Sequence, residues 1–160
     1  MPRPTHRYIR TEQGFLYLAA MKDLCTKKIV GWSMSATIDA QLVVAALLMA
    51  YARQKPAAGL IVHSDRGSQY ASGDFRDQLD AYQMVQSMSR RGNCYDNAPM
   101  ESFFSSLKGE YLEHQHFHSH AQARAAIFTY IETFYNSVRL HSSIGYRAPN
   151  QFESMLKAAA

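Results

Sequence analysis

The chain has 160 residues and 18.1 kDa, 47% of them hydrophobic and 19% charged. That composition fits one folded domain and excludes a disordered tail, a collagen-like repeat or a coiled coil. The longest apolar run, Leu42 to Ala50, is nine residues, well short of the ~20 that a membrane helix needs. Net charge is +4, and residues 1–66 carry the surplus, with nine Lys/Arg against four acids; this balance favours an anionic partner such as nucleic acid. The first ten residues are basic with no apolar stretch behind them, so no secretory signal is expected. Two cysteines, Cys25 and Cys94, are too few for a disulfide scaffold and read as free thiols in a reducing cytoplasm.

In chain order, Tyr8 to Thr11, Phe15 to Met21 and Ile29 to Met34 read as three strands separated by short polar turns, the pattern of an antiparallel meander. Asp39 is placed to cap a buried helix from Ala40 to Arg53 that Pro56 and Gly59 end. Leu60 to His63 is apolar enough for a central strand. Ser72 caps a helix to about Tyr82, and Val85 to Met88 is a fifth strand. A polar loop, Ser89 to Asn97, leads to a helix from about Ala98 to Leu112. Ser119 caps a long helix to about Val138, and a last helix starts near Pro149. A meander followed by alternating helix and strand predicts an α/β fold: an RNase H-like mixed five-stranded sheet with helices on both faces.

Two acids stand where chemistry is expected. Asp65 follows the fourth strand, at the kind of strand end where α/β sheets build their sites. Glu101 lies in the first turns of the helix that begins near Ala98, with 35 residues between the two acids. Lys108 is seven residues beyond Glu101, two turns on and on the same helix face. Carboxylates grouped around a hard cation suit phosphoryl transfer, and a nearby lysine suits a DNA phosphate. Taken singly, Asp65 also reads as a strand-ending turn residue, and Glu101 as a first-turn acid favoured by the helix dipole.

The segments YIRTEQGFLYLA, KKIVGWSMS, HSDRGSQYAS, SMSRRGNCYDNAPMESFFSSLK and FYNSVRLHSSIGYRAP span about Tyr8 to Phe152. Together they resemble the catalytic core of bacterial insertion-sequence transposases of the retroviral-integrase-like (DDE) superfamily. The resemblance implies strand cleavage and strand transfer on DNA with Mg²⁺ or Mn²⁺, two ions in an intact relative. It makes Asp65 and Glu101 the catalytic metal ligands. Transposon ends and target DNA are the implied partners, with a homo-oligomer also open and no membrane. The implied place is the cytoplasm, on the nucleoid when DNA is bound. The chain is expected to be one catalytic core domain, residues 1–160, without the helical DNA-binding region that precedes it in the family.

One departure stands out. The family carries a third acid in its first strand, ahead of a tyrosine, and counting back from Tyr8 puts Thr5 at that position. A catalytically dead remnant that only binds DNA is therefore a second reading. Asp23 is the nearby candidate for a substitute, because a hairpin around Gly14 sets Thr5 opposite about residue 23; its other reading is a turn former. Arg90 and Arg91, in the loop before Glu101, are DNA candidates, as are Arg139 and His141, which alternatively cap the end of the long helix. His114, His116, His118 and His120 alternate, which on an extended segment would put all four on one side as a transition-metal site; a solvated loop is the plainer reading.

Overall fold

The computed structural model describes residues 6–91 and 94–160. Strands β1 (His6–Thr11), β2 (Gly14–Lys22) and β3 (Ile29–Ser35) form an antiparallel sheet in the order β1-β2-β3. The first hairpin turns on two residues, with Thr11 opposite Gly14 and His6 opposite Ala19. Gly14 takes φ +102°, a conformation that side chains disfavour. Strands β4 (Ile61–Ser64) and β5 (Val85–Met88) pair in parallel, with helix α2 (Gly73–Ala81) between them in sequence.

Period-two alternation in β2 separates two cores. Leu16, Leu18 and Ala20 point to one face, where Ile9 and Ile29 join Phe103, Phe104, Ile127, Ile131 and Tyr135. Ala19 points to the other, against Leu42, Val43 and Leu47 of helix α1 (Ala40–Gln54) and Phe75 and Leu79 of α2. Helices thus cover both faces, as expected. Helix α1 starts where Asp39 accepts the Leu42 N–H, and it lies so close to β3 that a Cβ on Gly31 would meet the Ala46 carbonyl and sit 2.7 Å from the Ala50 nitrogen.

Five strands form as predicted, but among the described residues they make two separate sheets, β1-β2-β3 and β4-β5, and not one of five strands. β4 has one partner strand, β5, rather than the central place its apolar run suggested. Its outer edge looks onto a cavity of about 420 Å³ that separates it from the end of β2, and Ile61 is 65% exposed. An apolar run signals burial on both faces in a sheet, yet here part of that apolar surface lines a gap.

The predicted long helix is also not uniform. Helix α4 (His120–Phe128), capped by Ser119, widens into a π-helical segment, Thr129–Tyr135. Bonds of the i→i+5 kind run from the Asn136 N–H to the Ile131 carbonyl and from the Arg139 N–H to the Phe134 carbonyl. The widening lets Ile131, Tyr135 and Asn136 all turn inward. Asn136 accepts the Ile29 N–H and donates to the Ile29 carbonyl, both at 2.9 Å, so its amide mimics a strand partner for β3. Helix α5 (Pro149–Ala159) closes the chain.

Candidate active site

Asp65 follows β4 directly and is 3% exposed. Its Oδ1 accepts the Gly67 N–H at 2.7 Å. A Cβ on Gly67 would stand 2.9 Å from that oxygen, so glycine is what lets the turn close on the carboxylate. The strand end beneath it is tightly tied. Ser89 donates its N–H and its hydroxyl to the Ser64 carbonyl, and the His63 ring nitrogens meet the Ser87 and Ser89 hydroxyls at 3.0 and 3.1 Å. Arg66 adds a bond from Nε to the Ser89 carbonyl at 2.8 Å.

Glu101 sits in the first turn of helix α3 (Ala98–Glu110), half-buried. Its carboxylate makes no hydrogen bond or ion pair among the described residues. Phe103 and Leu107 anchor the inner side of α3 in the core and the buried Phe104 lies between them and the stripe that Glu101 and Lys108 share, with Glu101 half-buried and Lys108 exposed. The residues just before Asp65 (His63 and Ser64) and those leading into Glu101 (Asn97, Pro99 and Met100) line the same cavity. The end of β2 supplies its third wall.

Lys22, on that third wall, had no signal in the sequence beyond being a lysine at a strand end. Its ammonium donates to the Pro99 carbonyl at 3.1 Å and lies 5.9 Å from the Tyr135 ring centre. Burial, helped by Lys27 and Arg139, pulls it down to about 8 from an ordinary 10.5.

The other predicted residues are distributed as follows. Both oxygens of Asp23 are taken inside its own turn, by the Cys25 N–H at 2.9 Å and the Thr26 hydroxyl at 2.8 Å, which favours its turn-forming role. The hairpin register leaves Asp23 just past the end of β2; Thr5 lies outside the described residues. Lys108 is exposed, 3.8 Å from Glu113, and borders a shallow groove with Arg7 and Arg10. Arg90 is exposed while its backbone N–H bonds Asp96 at 2.8 Å, an interaction that lowers the Asp96 carboxyl below its usual range. Arg91 is exposed.

Arg139 and His141 face inward instead. The Arg139 guanidinium forks onto Glu110 and also reaches the Ser106 hydroxyl at 3.1 Å. His141 stacks edge-on against Tyr135, and burial beside Arg139 and Lys22 lowers it to about 4, so its ring is neutral at pH 7. Burial also pushes the Tyr135 phenol up to about 12. This closing segment braces α3 against the sheet. Of the four alternating histidines, only His116 and His118 converge: His114 ends a short 3₁₀ turn and His120 begins α4.

The integrase core domain model matches residues 5–94, and a second integrase core domain model matches residues 82–149. The chain belongs to the integrase core domain family. It is 48% identical, over 91% of its length, to the transposase for insertion sequence element IS904 of Lactococcus lactis, covering 58% of that protein. It is 49% identical, over 92% of its length, to transposase InsF for insertion sequence IS3A of Escherichia coli K12, covering 51%. The chain thus spans about half the length of the curated relatives it matches.

Among solved structures, it superposes on the simian T-cell lymphotropic virus intasome with a TM-score of 0.72 at 13% identity, over 92% of this chain and 51% of that one. It superposes on the HTLV-2 integrase catalytic core in complex with magnesium with a TM-score of 0.64 at 14% identity, over 92% and 90%. These likenesses establish the RNase H-like fold.

Proposed function

We propose that the chain is the catalytic core of an insertion-sequence transposase, with DNA as its substrate and Asp65 and Glu101 as its metal-binding pair. The observation that carries this reading is the shared cavity: the strand end that bears Asp65 and the helix start that bears Glu101 form two of its walls, in a chain of the integrase core family.

The donor set suits a hard cation. Both groups offer carboxylate oxygens, Glu101 has no internal partner among the described residues, and the Gly67 N–H holds Asp65 in one orientation. A bound Mg²⁺ or Mn²⁺ would supply Lewis-acid polarisation of a phosphodiester and activation of the attacking oxygen. The residues do the positioning. Asp65 keeps its carboxylate at the strand end through the Gly67 turn, and the Ser89 and His63 hydrogen bonds keep that strand end still. Glu101 is carried on a helix anchored by three buried side chains. Lys108, seven residues or about 10 Å further along α3, would hold DNA backbone. Arg91 and Arg90, on the loop before α3, would meet the same strand.

Thr5 is a neutral hydroxyl where relatives by resemblance carry a carboxylate. The two acids therefore support one ion better than two. Titration with Mn²⁺, followed by electron paramagnetic resonance, tests the ligand pair. The reading expects saturable binding that Asp65→Asn or Glu101→Gln abolishes and Asp23→Asn leaves intact. Unchanged binding in the first two variants would remove both residues from the site.

A further inference from the structure

The geometry points to a second metal site, remote in the fold from the cavity between β4 and α3, that takes a borderline transition ion such as Zn²⁺. Its ligands are Glu12 Oε1, His116 Nε2 and His118 Nδ1. These three atoms lie within 4.8 Å of one another, and both imidazole nitrogens meet the same carboxylate oxygen, at 2.9 and 3.0 Å. Two donors about 2.1 Å from a tetrahedral ion are separated by about 3.4 Å, so each nitrogen–carboxylate pair needs to open by only about half an ångström. Two imidazoles and one carboxylate suit zinc, nickel or copper(II) rather than Mg²⁺, which prefers an all-oxygen shell. Solvent would complete the shell, since all three side chains are exposed.

The site is built, not a chance meeting of surface side chains. Residues 115–117 lie outside any helix, so His116 and His118 fall on one side of the chain while Phe117 turns into the core, where it is 4% exposed. The Glu12 N–H bonds the Phe117 carbonyl at 3.0 Å, which fixes the carboxylate's backbone against the residue between the two histidines. Gln122 accepts the His118 N–H and Gln13 accepts the His120 N–H, both at 2.8 Å. A bound ion would clamp the β1–β2 turn to the connection that enters α4, and so couple β1 to the helix that ends in the π-helical segment.

The test is isothermal titration of the untagged chain with Zn²⁺ in buffer containing 10 mM Mg²⁺. One Zn²⁺ per chain is expected. Glu12→Gln, His116→Ala and His118→Ala should each weaken binding at least tenfold, while His114→Ala and Asp65→Asn leave it unchanged. Thermal melting in chelator should match the native chain for each variant, and added Zn²⁺ should raise the native melting temperature but not that of the His116→Ala/His118→Ala pair. Retention of the site in that pair, loss of it in Asp65→Asn, or native Zn²⁺ uptake no greater than the pair's would overturn the proposal. His116→Gln and His118→Gln replace the alanine variants if those melt early, with the same expected losses.

Discussion

Arg139 grips Glu110 through three hydrogen bonds of 2.7, 2.9 and 3.0 Å, tying the end of the π-helical segment to the last turn of the helix that carries Glu101 and Lys108. The pair holds Glu110 below its ordinary value near 4.5, chiefly through the hydrogen bonds from Arg139. A carboxyl with a lowered folded-state value contributes stability that is fully present above its unfolded value and disappears as acid protonates it. Glu110→Gln should therefore destabilise the chain at pH 7, and the gap to the native chain should close as pH falls below 4.5. Urea unfolding at pH 7, 5 and 3.5 checks this. A gap that does not change with pH would show that packing of the side chain, not its charge, matters.

Lys22 predicts a dependence of the same sign at higher pH, with burial rather than a hydrogen-bonded partner as its cause. Its folded-state value near 8 lies below the ordinary 10.5, so between those two limits the unfolded chain binds more protons and native stability gains with rising pH. Below about 8 the group is charged in both states and this contribution is flat. Relative to Lys22→Met, the native chain should gain stability from pH 8 to 10. A parallel pair of pH profiles would mean that the lysine is solvated in solution.

Asn136 is completely buried and bonded at both ends of its amide to the Ile29 backbone. Asn136→Ala would strand a peptide N–H and a carbonyl without partners, at a cost of about 2–4 kcal/mol in unfolding free energy. Asn136→Asp keeps the shape but loses the donor to Ile29, and should cost nearly as much. Denaturant melts of the two variants measure it; a loss below about 1 kcal/mol would mean that water replaces the amide.

Two glycines separate stability from site geometry. Gly31→Ala pushes a methyl into the α1 backbone and should destabilise by at least about 2 kcal/mol. Gly67→Ala brings a methyl against the Asp65 carboxylate, where the turn can give. It should shift the melt little and weaken Mn²⁺ binding about tenfold. Equal effects of the two on stability would place Asp65 in the fold's core and not in a site.

Much of this was legible in the sequence because it rests on local signals. The Gly14 turn, the Asp39, Ser72 and Ser119 caps and the alternation of β2 each announce themselves within a few residues. Asp65 and Glu101 stand at a strand end and a helix start, but each place alone also suits a turn or dipole residue, and it is the family resemblance that makes them the proposed pair. What stayed hidden depends on distant partners. The π-helical widening has no periodic signature and is fixed by Asn136 reaching β3, 107 residues away in the chain. The partnership of Arg139 with Glu110 and the burial of Lys22 are likewise set by packing. Only two of four histidines converge, because helix geometry takes over at His120 and a 3₁₀ turn at His114.

In the proposed function Asp65 and Glu101 hold the ion for DNA strand transfer and Thr5 limits it. The most direct measurement is strand transfer of pre-cut transposon ends into target DNA with Mg²⁺, comparing the native chain, Thr5→Asp, and Thr5→Asp combined with Asp65→Asn or Glu101→Gln. Little product is expected from the native chain and a clear gain with Thr5→Asp. That gain should fall at least about hundredfold, or roughly 2.7 kcal/mol of activation free energy, when either acid is removed. Strand transfer by Thr5→Asp that survives both Asp65→Asn and Glu101→Gln would contradict the proposed function.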